Sequence, residues 1–168
     1  MTTKILVKTA LMLAMASVLQ EVRLYHFPQG GAVTLGSMLP LILVSVSYGW
    51  RTGALAGFVF GIINLVQDPF ILHPLQVLFD YPLPFMSMSI AGILGGRIYL
   101  ATIFAFLCRF ICHFISGAIF FASYAPSGMS PIVYSLTANA SYLVPEMIIT
   151  LLILKILPVQ RIIDAMKG

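Results

Sequence analysis

The chain has 168 residues, of which 60% are hydrophobic and 8% charged, with a mean hydropathy of +1.03; an average soluble domain carries about 25% charged residues. That balance excludes a water-facing globule, whose single core could not hide so much apolar surface, and it makes lipid the natural solvent. Nine Lys and Arg against five Asp and Glu give a net charge of +4, but the basic residues stand singly between apolar runs, which excludes a nucleic-acid footprint and suits loop charges that set membrane orientation.

A crossing helix needs roughly 20 apolar residues, and six segments are predicted in chain order: 4–23, 35–49, 52–67, 75–95, 98–121 and 133–157. The first is followed by Gln20, Glu21 and Arg23 with no small-x-small pattern, so it reads as a retained helix rather than a cleaved signal. Ala10, Ala14 and nearby Ala16 suit it to close helix contact. The second and third segments are short and joined by a tight turn at Gly49-Trp50-Arg51-Thr52-Gly53. In the fourth, Pro82 and Pro84 are expected to distort the helix beside Asp80 and free carbonyls. Cys108 and Cys112 lie inside the fifth apolar run, so no disulfide framework is expected, and His113 is rotated about 100° from Cys112, a poor geometry for zinc. Helices are the expected spanning element, because lipid cannot satisfy an open sheet edge. With no internal repeat, residues 1–168 read as one transmembrane domain.

Lys and Arg set the orientation. With the N-terminus inside, Lys4, Lys8, Arg51, Arg97, Lys155, Arg161 and Lys167 fall on the cytoplasmic side and only Arg23 outside. Both termini are therefore expected in the cytoplasm. The loops 24–34, 68–74 and 122–132, rich in Gly, Pro and aromatics, face out.

Ionisable groups inside a membrane helix cost at least about 2.5–3.5 kcal/mol near its centre, and four stand out: Asp80, Arg109, His113 and Glu146. Helical spacing sets Gln76, Asp80 and Ser87 on one stripe, Arg109, His113, Ser116 and Phe120 on a second, and Ser135, Asn139, Tyr142 and Glu146 on a third. Three polar stripes suggest a shared cavity. Arg109 and Glu146 fall near the midplane, where an internal salt bridge would neutralise both. Asp80, His113 and Asn139 fall in the outer half, beside Phe70, Tyr81, Phe120, Phe121, Tyr124, Tyr134 and Tyr142. Such aromatics alone would read as an interfacial belt. Beside an acid, an amide and an imidazole they suit a flat, cationic, hydrogen-bonding ligand. The P-loop, G-x-S-x-G and H-E-x-x-H patterns are absent, so no ATP hydrolysis, hydrolase or zinc-protease chemistry is expected of this chain.

Several uncommon strings then occur in order: His73-Pro74-Leu75-Gln76, Leu78-Phe79-Asp80-Tyr81, Arg109-x-x-x-His113-x-Ile115-Ser116-Gly117-Ala118-x-Phe120-Phe121, Tyr124-Ala125-Pro126-x-Gly128, and Tyr134-Ser135-Leu136-Thr137-x-Asn139-Ala140-x-Tyr142-x-Val144-Pro145. Pro28-Gln29-Gly30-Gly31, leading to Ser37-Met38-x-Pro40, precedes them. Across 28–145 the chain resembles the thiamine-specific substrate-binding subunit, or S component, of energy-coupling-factor transporters. The resemblance implies an all-α, multi-pass cell-membrane protein of six transmembrane helices that binds thiamine from outside, with no catalysis and no cofactor. It carries the binding acid onto Asp80, its neighbouring aromatic onto Tyr81, the histidine onto His113, and the Tyr and Asn onto Tyr134 and Asn139. Phe121 and Phe70 stand where some members have Trp and Tyr. It further implies a membrane-embedded scaffold subunit, docked on the A-x-x-x-A pattern of Ala10 and Ala14, and two cytoplasmic ATPases. Glu146 matches no site of the family. Binding of another vitamin or precursor, such as riboflavin or hydroxymethylpyrimidine, and an intramembrane enzyme using Asp80 and His113 as acid and base are the alternatives.

Overall fold

A computed structural model describes residues 1–27 and 31–168; Pro28, Gln29 and Gly30, part of the resemblance above, lie outside the described residues. The described chain forms eight α-helices, two 3-10 turns and one pair of strands. Helix α1 (Thr3–Glu21) starts where Thr2 accepts a hydrogen bond from the Ile5 N–H. It turns Thr9, Leu13 and Ala16 inward and leaves Leu6, Leu11 and Val18 exposed, as a lipid-facing helix would.

The next segment departs from the expected external loop. Strands β1 (Arg23–His26) and β2 (Ala32–Thr34) pair antiparallel, with Tyr25 opposite Val33 and His26 opposite Ala32. Both ends of this hairpin are held. Arg23 reaches Asp68, in the loop 68–74, at 2.9 Å, and Thr34 is fully buried. Residues 35–38 are not helical as expected. Gly36 adopts φ +73°, and α2 (Leu39–Tyr48) begins only at Leu39, with Pro40 in its first turn.

Helix α2 has just ten residues and is buried almost throughout, which makes it the centre of the bundle. Gly49, at φ +86°, alone reverses the chain into α3 (Trp50–Gln67), so α3 starts two residues before the expected position. Gly53, Gly57 and Gly61 recur at four-residue steps on α3. A Cβ at Gly57 would strike the Phe85 carbonyl, and one at Gly61 would lie 2.6 Å from the Tyr81 carbonyl. This stripe lets α3 lie backbone to backbone against the segment that carries Asp80.

That segment is broken as the prolines require. Helix α4 (Pro74–Asp80) ends at Tyr81, α5 (Pro82–Ser87) follows, and a 3-10 turn covers Met88–Gly92. The break overturns one expectation: Ser87 does not continue the Gln76–Asp80 stripe, and its hydroxyl donates to the freed Pro84 carbonyl at 2.7 Å.

Helices α6 (Ile98–Phe120) and α7 (Pro131–Ile156) form the longest pair and pack along each other. Ser130 caps α7, Pro131 opens it, and Pro145 withholds one N–H from its ladder. With α1, these are the three helices among the described residues that are long and apolar enough to cross a membrane. An unexpected α8 (Val159–Lys167) folds back under the bundle, burying Ile163 and Met166. Lys8 donates to the Ala165 and Met166 carbonyls at 2.8 and 3.1 Å, and Lys4 bonds the Gly168 carbonyl. The two chain ends therefore lie side by side.

Candidate functional site

The broken segment delivers Asp80 to the last residue of α4, where its two oxygens diverge. Oδ2 accepts from Gln76 Nε2 at 2.6 Å, one turn back on the same helix. Oδ1 lies 3.3 Å from His113 Nδ1 on α6. Asp80 keeps 17% of its side chain exposed and His113 11%. The other ring nitrogen of His113, Nε2, is buried and has no hydrogen-bond partner among the described residues.

Gln76 is nearly inaccessible, and its amide does more than hold the acid. Nε2 also donates to the Phe70 carbonyl at 3.0 Å, and Oε1 accepts from the Leu72 N–H at 3.0 Å. Tyr81, expected as a ligand-facing aromatic, turns its hydroxyl to the same loop. It donates to the Asp68 carbonyl at 2.8 Å and accepts from the Phe70 N–H at 2.7 Å. Together these bonds fix loop 68–72 and aim Phe70. The Phe70 ring stacks on Phe121 with centroids 5.6 Å apart and planes at 20°, and Tyr124 meets both rings at 6.5 and 5.7 Å. Phe120, seven residues beyond His113 on the unbroken α6, meets the start of the same helix α4 and stacks on His73.

Helix α7 supplies the opposite wall. Asn139 Nδ2 donates to the Ser135 carbonyl at 2.9 Å and to the His113 carbonyl at 3.2 Å, while Oδ1 accepts from the Tyr142 hydroxyl at 2.8 Å. Asn139 thus ties α6 to α7 rather than standing free for a ligand, although Oδ1 keeps a second lone pair. Gly117 makes this approach possible, since a Cβ there would lie 3.0 Å from Ser135 Cβ and 3.1 Å from Asn139 Nδ2. Tyr142 sets its ring edge-on to His113 at 6.1 Å. The hairpin covers it: Phe27 lies 6.4 Å away, and a Cβ on Gly31 would come within 2.6 Å of the Tyr142 ring. Tyr134 is buried in the first turn of α7, on a different face from Asn139, and shares no side-chain hydrogen bond with this cluster among the described residues. Ala10 and Ala14 lie exposed on α1, whereas Ala16 packs inward.

Deeper in, Arg109 and Glu146 form the expected salt bridge at 2.8 Å, almost wholly buried. Glu146 has further partners that helical spacing does not reveal. Glu146 Oε1 accepts from Thr34 at 2.5 Å and from Ser37 at 3.1 Å, and Ser37 also reaches Gln20 Oε1 on α1 at 2.7 Å. The signal was present as three small or amide polar residues, Gln20, Thr34 and Ser37, bordering apolar runs. Nothing in their spacing tied them to a residue more than a hundred positions away.

The assembled geometry is a part-buried carboxylate with an imidazole beside it, a stacked aromatic group above it and a hydrogen-bonded helix seam opposite. In surroundings of effective dielectric near 20, a carboxylate attracts a unit cation about 4 Å away by roughly 4 kcal/mol. The aromatic faces would add cation–π attraction.

The chain is similar to known proteins along most of its length. Residues 6–164 match the family model described as "Thiamine transporter protein (Thia_YuaJ)". The chain is 34% identical over 171 residues to the thiamine transporter ThiT of Bacillus subtilis (strain 168), covering 90% of this chain and 88% of that one. It is 25% identical over 174 residues to the thiamine transporter ThiT of Lacticaseibacillus paracasei, covering 91% and 86%. A solved structure of ThiT from Listeria monocytogenes has the same fold, with a TM-score of 0.84 at 21% identity over 95% of this chain and 96% of that one.

Proposed function

Because the chain belongs to the thiamine transporter protein family, we propose that it is the thiamine-binding S component of an energy-coupling-factor uptake system in the cell membrane. Asp80 takes the thiazolium charge, helped by His113, and the Phe70–Phe121–Tyr124 group covers the flat rings. Asn139 offers its remaining lone pair, Tyr134 adds a hydroxyl, and Tyr81 acts by holding the loop that carries Phe70. The single observation that carries this reading is Asp80 itself: a part-buried carboxylate gripped by an amide and an imidazole, with no Lys or Arg bonded to it among the described residues. Such an acid calls for a cation from outside.

In this reading residues 1–168 form one substrate-binding domain with six crossings, supplied by α1, α2, α3, the α4–α5 run, α6 and α7, and with α8 lying along the cytoplasmic face. The adjacent chain ends and the basic residues near them support cytoplasmic termini. Energy comes from a scaffold subunit and two ATPases, the scaffold meeting α1 at Ala10 and Ala14. Ala14→Trp then abolishes uptake while the isolated protein binds thiamine nearly unchanged; parallel loss of both would make α1 a structural helix instead.

Calorimetry of the detergent-purified protein with thiamine, riboflavin and hydroxymethylpyrimidine tests the assignment. One-to-one binding that favours thiamine, with the ligand recovered intact, is expected. Tighter riboflavin binding would move the protein to another vitamin, and conversion of the ligand would make Asp80 and His113 an acid–base pair.

A further inference from the structure

One cleft is built entirely from residues outside the Asp80 cluster. It has a volume of about 450 Å³ and runs between the first turns of α6 and the last turns of α7, lined by Tyr99, Ile103, Ile148, Leu151, Leu152 and Lys155. Its walls are almost entirely apolar except for Lys155. A second cleft of about 280 Å³ begins where the first ends, sharing Tyr99 and Lys155 and continuing past Gly95, Gly96 and Gln160. This lower part is half polar and roomy, since a Cβ on Gly96 would touch nothing within 4 Å.

The two clefts form one groove with an apolar upper half, a polar lower half and an ammonium at the joint. Exposed Lys155 has no carboxylate within salt-bridge reach among the described residues, nor do exposed Arg97 and Arg161 at the same end of the bundle. The one acid nearby, Asp164, accepts from Gln160 at 3.0 Å. Tyr99 adds a ring with a polar tip at the depth where membrane proteins carry such rings, and a lysine stem there can lie along apolar surface while its charge stays at the interface. Helix α1, the proposed scaffold face, makes no extensive contact with α6 or α7, so the groove lies apart from that face.

We propose that this groove holds one anionic phospholipid, its phosphate against Lys155 and an acyl chain along Tyr99, Ile103, Ile148 and Leu152. The division of the lining matches the division of such a lipid between charged headgroup and hydrocarbon tail. This assignment does not depend on the identity of the vitamin.

The test uses delipidated, detergent-purified full-length protein with added phosphatidylglycerol or phosphatidylcholine, read by native mass spectrometry and thermal unfolding. Wild type should retain one phosphatidylglycerol and melt at a higher temperature with it, but not with phosphatidylcholine. Lys155→Glu should lose retention by at least about fivefold, the fold-change for roughly 1 kcal/mol per basic residue at an anionic surface. Arg51→Glu, in the first turn of α3 and not part of the groove lining, should retain the lipid as wild type does; Lys155→Gln serves if the charge reversal fails to fold. Equal retention of both lipids, equal loss in the Lys155 and Arg51 variants, or the same thermal shift with inorganic phosphate would each overturn the proposal. So would a dimer that Leu152→Trp dissociates, because the groove would then belong to a second copy.

Discussion

Arg109 and His113 stand four residues apart on one face of α6, and each meets an acid from another helix. The deeper pair is closed. Arg109 and Glu146 lie 2.8 Å apart with 5% and 1% of their side chains exposed; the second carboxylate oxygen takes hydroxyls from Thr34 and Ser37, and the guanidinium sits 5.1 Å from the centre of the Phe85 ring. The outer pair is open. Asp80 and His113 are 3.3 Å apart, both partly exposed, and His113 Nε2 is left without a partner. Each pair leaves one buried nitrogen without a partner among the described residues, Arg109 Nε in the deeper and His113 Nε2 in the outer, so what separates scaffold from site is that only the outer acid stays open to its surroundings. The closed pair joins the hairpin, α1, α6 and α7 into one frame, and that frame holds the open pair in place.

The largest effect should come from opening the closed pair. Glu146→Leu alone strands the Arg109 charge and should cost about 3–5 kcal/mol of stability, measured by unfolding in detergent. Arg109→Met with Glu146→Leu should recover most of it, because Thr34 and Ser37 still bond each other and Ser37 still reaches Gln20. A double variant as unstable as the single one would mean that the pair is more than mutual neutralisation.

A smaller effect, about 1–3 kcal/mol, is expected from overpacking the α6–α7 seam with Gly117→Ala, whose new methyl would press on Ser135 and Asn139. Thiamine affinity should fall with it, since His113 and Asn139 lie on the two sides of that seam. Lost stability with unchanged affinity would remove the seam from the site.

The smallest effect, about 1 kcal/mol, belongs to Tyr81→Phe, which deletes the hydroxyl that holds Asp68 and Phe70. Weaker binding with the Asp80 contribution intact would identify Tyr81 as a support for Phe70. A loss as large as that of the acid itself would restore it as a direct contact.

The features legible in the sequence were those that depend on composition and on spacing within one helix. Asp80, His113, Arg109 and Glu146 stood out because charge inside apolar runs is expensive, and four-residue steps put them on the faces where they are found. The break beside Asp80 followed from Pro82 and Pro84. What escaped was set by tertiary contact. Strands of four and three residues, Arg23–His26 and Ala32–Thr34, carry no readable alternation, and they form because Gly31 and Phe27 pack on Tyr142. Helix α8 was missed because its nine residues hold only a short apolar face, which the bundle end covers. The stripe that included Ser87 assumed an unbroken helix. Asn139 was recognised by type, yet its commitment to His113 and Tyr142 could be read only from the packed seam.

The most direct test of the open pair is a titration of wild type, Asp80→Asn and Asp80→Glu with thiamine and with a neutral pyrimidine analogue that lacks the thiazolium. Asp80→Asn keeps the size of the side chain and removes its charge. The expected outcome is a loss of thiamine affinity of roughly 2–5 kcal/mol, the range for truncating one partner of a buried charge pair, a much smaller loss for the neutral analogue, and better tolerance of Asp80→Glu. Thiamine bound by Asp80→Asn as tightly as by wild type would contradict it, because Asp80 would then not be the partner of the cation.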